Sequence, residues 1–183
     1  NGEEGRLKPA PLDPISFEVI RNALVAATDE MVLALKRSAY STNIKTRSDF
    51  SCAFFDTELR SVAQAFTQPV HLGSMAQQVP HAIRRYGAEN LGPGDVIITN
   101  DPYPSGVHLN DVSLISPVFA EGALLGFVAN LAHHVDVGGG APASIGAFRE
   151  VFQEGVIIPP VKVVAAGRII DDVFALILAQ IRS

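Results

Sequence analysis

The sequence predicts an α+β fold, with a long N-terminal helix packed on mostly antiparallel strands and hairpins and a C-terminal helix closing the chain. Three observations predict it. Apolar residues recur at spacings of three and four near the N-terminus, short apolar runs bounded by turn residues fill the middle, and helical spacing returns at the end. No internal repeat and no low-complexity tract interrupts this order.

Residues 1–12 are rich in Gly, Glu and Pro and read as a flexible arm, which leaves 13–183 as one folded lobe. Asp13-Pro14 predicts a helix start, because an Asp side chain accepts the free N–H groups of the first turn and Pro is pre-set for the first helical position. Ile20, Leu24, Ala27, Met31 and Leu35 then define one buried face, through about Tyr40. Ser48 to Asp56 is an aromatic run that reads as a strand, turned at Asp56-Thr57-Glu58 into a second strand through Val62. Residues 74–86 read as a helix that Pro80 kinks or divides, ended by Gly87. A turn at Leu91 to Asp95 leads into a strand from Val96 to Thr99.

Val112 to Phe119 and Ala123 to His133 are apolar strands joined around Glu121-Gly122, the pattern of a hairpin. A glycine-rich loop from Gly138 to Gly146 follows, then strand-like segments at Gly155–Ile158 and Val161–Val164 with a turn at Gly167. Phe174, Ile177, Leu178 and Ile181 give the closing helix its face, and the chain stops at Ser183 without a cap, on a residue that reads as mid-structure.

Composition narrows the function. A net charge of −5 with no cluster of Lys and Arg argues against nucleic acid. No apolar run reaches the length of about 18 residues that a spanning helix needs, and the charged N-terminus is no secretory signal. The single cysteine, Cys52, excludes an internal disulfide and points to a reducing, cytoplasmic setting; its apolar neighbours read as core. Charged residues make up only 18% of the chain against 48% hydrophobic, so some apolar surface is expected to be covered by a partner or by further chain.

The chemistry concentrates between residues 108 and 136. His108 and Asp111 stand three apart just beyond a bent loop, Asn100-Asp101-Pro102-Tyr103-Pro104-Ser105-Gly106, where residues of that spacing can converge. His133-His134-Val135-Asp136 ends a strand and enters the glycine loop. Imidazole and carboxylate donors together suit zinc, manganese or iron(II) rather than a metal that prefers thiolates. In extended chain His133 and His134 face opposite ways, so one is the direct ligand, and the other with Asp136 is left to orient ligands or touch substrate. An H-x-x-D pair alone is a weak signal, and spacing cannot bring Asp49 into the group. His71 is as consistent with helix capping as with ligand contact, and His81 reads as structural or surface. Gly138-Gly139-Gly140 lacks the Gly-Lys-Ser/Thr of a phosphate loop, and no G-x-S-x-G elbow is present.

Four stretches in order, Lys45 to Ala53, Asn100 to Asp111, Ala132 to Gly139 and Glu154 to Pro160, make the chain from about Asp13 to Ser183 resemble the hydantoinase B/oxoprolinase family. The resemblance implies a metal-containing B-type subunit that opens hydantoins, 5-oxoproline or other lactams. An A-type partner subunit would bind ATP, so a hetero-oligomer is expected. It also implies His108, Asp111, His133 and Asp49 as metal ligands, with His134 or Asp136 as the catalytic proton carrier. Family chains are much longer, and Pro104-Ser105-Gly106-Val107 replaces the family's more usual Gly-Gly-Thr before the histidine. The alternatives are a subunit of an acetone or acetophenone carboxylase and a non-catalytic lobe that serves assembly.

Overall fold

The computed structural model describes residues 13–65 and 67–182, so the arm expected over residues 1–12 lies outside the described residues. Helix α1 (Pro14–Ser38) starts where Asp13 accepts the N–H groups of Ile15 and Ser16. It stops two residues short of Tyr40, and an unforeseen single turn, α2 (Thr42–Lys45), follows, capped by Ser41. Strands β1 (Phe50–Phe55) and β2 (Ser61–Gln64) pair through the turn built on Asp56.

Helix α3 (Pro69–Tyr86) begins five residues earlier than its apolar pattern indicates, with Pro69 in its first turn. A single helical run passes through Pro80, which is buried against the core, so the proline does not start a second segment. Gly87, at φ 74°, ends the helix in the left-handed region. Strand β3 (Val96–Thr99) follows, then the single turn α4 (Pro102–Ser105), with Asp101 capping Tyr103 N–H. The long hairpin of β4 (Asp111–Ala120) and β5 (Ala123–His133) turns on Glu121 and Gly122, both at positive φ.

Residues 155–158 are not a strand, contrary to the sequence reading. Val137, Asn100 and the Asn100 side chain take their backbone hydrogen bonds, so no ladder with a neighbouring strand forms. Strands β6 (Val161–Ala165) and β7 (Arg168–Ile169) and helix α5 (Asp171–Leu178) complete the chain.

The seven strands among the described residues form one antiparallel sheet in the order β2-β1-β5-β4-β3-β6-β7. Alternation along the strands divides the core between two faces. Ala53, Phe55, Ile97, Ile115, Phe127, Ala129 and Leu131 meet Met75, Val79 and Ile83 of α3 on one face. Phe50, Cys52 and Ala132 meet Met31, Val32 and Leu35 of α1 on the other. Cys52 is buried there and its thiol is pushed up to about 12 by desolvation, which fits a core residue and not a nucleophile.

The buried face expected along all of α1 holds only in its C-terminal half. Of that face, Met31 and Leu35 pack half-buried against the sheet, whereas Ile20 near the N-terminus is 46% exposed and Ala27 is exposed. Phe174, Leu176 and Leu178 of α5 are exposed as well. These surfaces account for the low charge content.

Where β3 begins beside the end of β6, Asp95, 8% exposed in its side chain, accepts from Lys162 Nζ at 2.7 Å and from the N–H groups of Gly92 and Ala166. Burial opposes its charge, but Lys162 and the two amides win and hold the carboxyl at about 2. A carboxyl depressed in the folded state contributes stability above its unfolded value and loses it as pH falls toward the folded one. Asp95→Asn is therefore expected to cost about 2 kcal/mol at pH 6, with the difference from wild type closing between about pH 4 and pH 2. Urea titrations at stepped pH check this; a difference that stays constant down to pH 2 contradicts it.

Candidate metal centre

Three neighbouring strand ends assemble the site. β5 lies between β1 and β4, and His133 at its end sits directly opposite Asp111, the first residue of β4. On the other side, His133 N–H donates to the carbonyl of Asp49, just before β1, at 3.0 Å. The antiparallel register thus brings together residues 49, 111 and 133, which no local spacing relates.

Asp111 is 2% exposed and is the anchor of the cluster. Its Oδ2 accepts from His108 N–H at 3.0 Å, which folds the H-x-x-D segment back on itself, and its Oδ1 lies 2.7 Å from His133 Nδ1. The His108 ring, 77% exposed in its side chain, stands over the rim with Nδ1 3.8 Å from Asp111 Oδ2 and meets the His133 ring edge-on. Donor atoms of His108, Asp111 and His133 all lie within 4.8 Å of one another. Burial works against charge on Asp111, but the hydrogen bond and charge of His133 and the charge of His71 hold its carboxyl below the usual range. The same hydrogen bond raises His133 above an ordinary imidazole, against its own desolvation.

A second polar residue fixes the loop. Asn100 is fully buried; its Nδ2 donates to the carbonyls of Leu109 and Val156 and its Oδ1 accepts from Ile158 N–H. It ties the segment carrying His108 to residues 156–158. Its place in the Asn100-Asp101-Pro102-Tyr103 motif was visible in the sequence, but the partners of a buried amide are not.

The remaining candidates separate. His133 lines a pocket of about 390 Å³ with His108, Asn110, Ser144, Ile145, Phe148 and Glu154. His134 points the other way, into an apolar cavity of about 620 Å³ against the α1 face of the sheet. Desolvation there, with His133 beside it, lowers its pKa, although the residue keeps an exposed edge. Asp136 is taken up by the glycine loop: it accepts from Gly138 and Ala143 N–H and from Arg182, and these bonds lower its pKa. The cluster therefore does not include His134 or Asp136. The loop's glycines are turn geometry: Gly139 has φ 81°, and a Cβ there would meet Gln153 O and the Glu154–Gly155 peptide at 2.5–2.8 Å.

His71 is the residue the sequence reading left open. It lies in the first turn of α3, 3% exposed, with Nε2 3.7 Å from both Asp49 Oδ1 and Asp111 Oδ1. Desolvation lowers its pKa, opposed by the two carboxylates. The early start of α3 at Pro69 is what turns His71 toward the sheet, and Gln68-Pro69 was the available signal.

Comparison with known proteins gives a consistent result. Residues 13–183 match the family profile described as hydantoinase B/oxoprolinase. The chain is 41% identical to 5-oxoprolinase 1 of Arabidopsis thaliana over 156 residues, covering 85% of this chain and 12% of that one. It is 36% identical to caprolactamase subunit beta of Pseudomonas jessenii over 173 residues, covering 94% of this chain and 30% of the relative. The crystal structure of that organism's ATP-dependent caprolactamase superposes with a TM-score of 0.83 at 35% identity, over 94% of this chain and 30% of its own. A nucleotide-free acetone carboxylase shares the fold, with a TM-score of 0.85 at 22% identity over 93% of this chain and 23% of its own. The chain thus spans at most about a third of the length of these relatives.

Proposed function

Because the chain belongs to the hydantoinase B/oxoprolinase family, we propose that residues 13–183 are the N-terminal lobe of a B-type subunit carrying the metal centre of an ATP-dependent cyclic-amide hydrolase. One observation carries this reading: donor atoms of His108, Asp111 and His133 converge within 4.8 Å of one another beside an open pocket that both histidines line. Two imidazoles and a carboxylate at that spacing fit a divalent zinc, manganese or iron ion, and Asp49 is the proposed fourth donor.

A divalent ion held there supplies Lewis-acid polarisation of an amide carbonyl and activates water near neutral pH. The chain's own residues do the rest. Buried Asp111 fixes the floor and orients His133 through their hydrogen bond, while exposed His108 closes the set from the rim. Ile145 and Phe148 offer an apolar wall to the methylenes of a small ring, in a pocket whose volume of about 390 Å³ suits one. Asp136, pinned by two amides and Arg182, holds the glycine loop that carries this wall.

An unstrained lactam is a poor electrophile, so phosphorylation of the amide oxygen by ATP on an A-type partner subunit would precede attack. The caprolactamase and 5-oxoprolinase relatives support this reading over a carboxylase, whose likeness carries the fold alone. The free, buried Cys52 is consistent with a cytoplasmic setting, and no helix among the described residues is long and apolar enough to cross a membrane.

The test is reconstitution with the A-type partner and ATP on a panel of hydantoins, 5-oxoproline and lactams, against ketones with bicarbonate. Ring opening coupled to ADP release is expected. ATP turnover without ring opening, or carboxylation of a ketone, overturns the reading.

A further inference from the structure

The structure assigns His71 as a positioning residue that holds the carboxylates of Asp49 and Asp111 on one side of the metal centre; this rests on the metal-centre reading above. Asp49 directly precedes β1 and Asp111 opens β4, and the two flank His133 on β5 between them. Nothing in the sheet ladder fixes the two side chains relative to each other. α3, lying across the sheet, delivers a single nitrogen to both: His71 Nε2 is 3.7 Å from Asp49 Oδ1 and 3.7 Å from Asp111 Oδ1.

Three features separate this arrangement from an ordinary core histidine. The His71 and Asp111 side chains are both buried, so their contact is shielded from water, while the Asp49 side chain is 31% exposed. Its Nδ1 has no hydrogen-bond partner among the described residues, so the ring's polar contacts all run through Nε2. Its backbone is committed to the start of α3, where His71 N–H donates to Gln68 O and Ser74 Oγ donates to His71 O, so the ring is carried on a fixed helix end.

The same geometry keeps His71 out of the ligand set. The donors that converge are those of His108, Asp111 and His133, and His71 stands behind Asp111 on the α3 side. At 3.7 Å its Nε2 faces one oxygen of each carboxylate within ion-pair reach but outside hydrogen-bond distance, so it acts on their orientation and not on the ion. Outer contacts of this kind fix ligand orientation, and their loss typically weakens metal affinity by about 10–100-fold.

The experiment compares wild type, His71→Leu, His71→Gln and His108→Ala by chelator competition for Zn(II) and by the visible spectrum of bound Co(II), with thermal unfolding of each metal-free protein. Gln places an amide N–H near the position of Nε2 without a ring nitrogen that can ligate. His71→Leu is expected to lose about 10–100-fold in affinity and shift the Co(II) bands. His71→Gln is expected to recover most of both, whether or not the leucine variant folds. His71→Leu binding as tightly as wild type overturns the assignment. So does His71→Gln binding as weakly as His108→Ala, because His71 would then be a ligand itself. Wild type that binds no ion defeats the metal-centre reading instead.

Discussion

Asp111→Ala is expected to lose metal binding by well over about 100-fold, more than the loss of an outer contact costs, and to destabilise the metal-free protein at the same time. Both effects come from one side chain. Asp111 is the central donor of the convergent group and also the acceptor for His108 N–H and His133 Nδ1. It is 2% exposed, so its removal strands two polar partners at the head of the β4/β5 hairpin. An unpartnered buried polar group costs about 1–3 kcal/mol, which gives about 2–4 kcal/mol for the pair, since the His133 side chain keeps 22% of its surface in water. Asp111→Asn separates the two effects: an amide oxygen still accepts one hydrogen bond, so most stability returns while the charge and the metal do not. Urea denaturation with chelator competition on both variants measures this. Full metal affinity in Asp111→Asn contradicts the role assigned to the carboxylate.

Asn100→Ala has the largest expected effect on folding. The wild-type amide satisfies Leu109 O at 2.7 Å, Val156 O at 2.8 Å and Ile158 N–H at 2.6 Å in fully buried surroundings. Alanine leaves all three unpartnered and opens a cavity between the segment ending in Leu109 and residues 156–158. A loss of about 4 kcal/mol or more follows, at the upper end of single-substitution effects. Because Leu109 adjoins His108, metal affinity should fall with stability even though Asn100 touches no ligand. An unfolding free energy within about 1 kcal/mol of wild type, from urea titration, contradicts this account.

The two substitutions mark the boundary of what local sequence signals carry. Asp13 capping α1, the strand at Val96–Thr99, the Glu121-Gly122 hairpin and the Gly87 helix stop were legible because each depends on a few adjacent residues with a fixed conformational preference. The opposite orientations of His133 and His134 were legible for the same reason, since a strand alternates. The pairing of Asp111 with His133 is a matter of register across 22 residues, and spacing left it open until family resemblance favoured it. His71 was less legible still, because its contacts depend on how α3 lies across the sheet. Residues 155–158 were misread as a strand because their apolar pattern is real, while the hydrogen bonds that define a strand go to Asn100 and Val137 instead. The exposed half of α1 has the helical face its pattern announced, but amphipathic spacing says nothing of what covers that face.

The central claim is that His108, Asp111 and His133 form one metal centre, and elemental analysis of purified protein tests it most directly. After saturation with Zn(II), Mn(II) or Fe(II) and removal of free metal, wild type is expected to retain a single divalent ion per chain, and His108→Ala, with an intact fold, none. His108→Ala that keeps a stoichiometric ion, or wild type that keeps no ion under any of the three metals, contradicts the account.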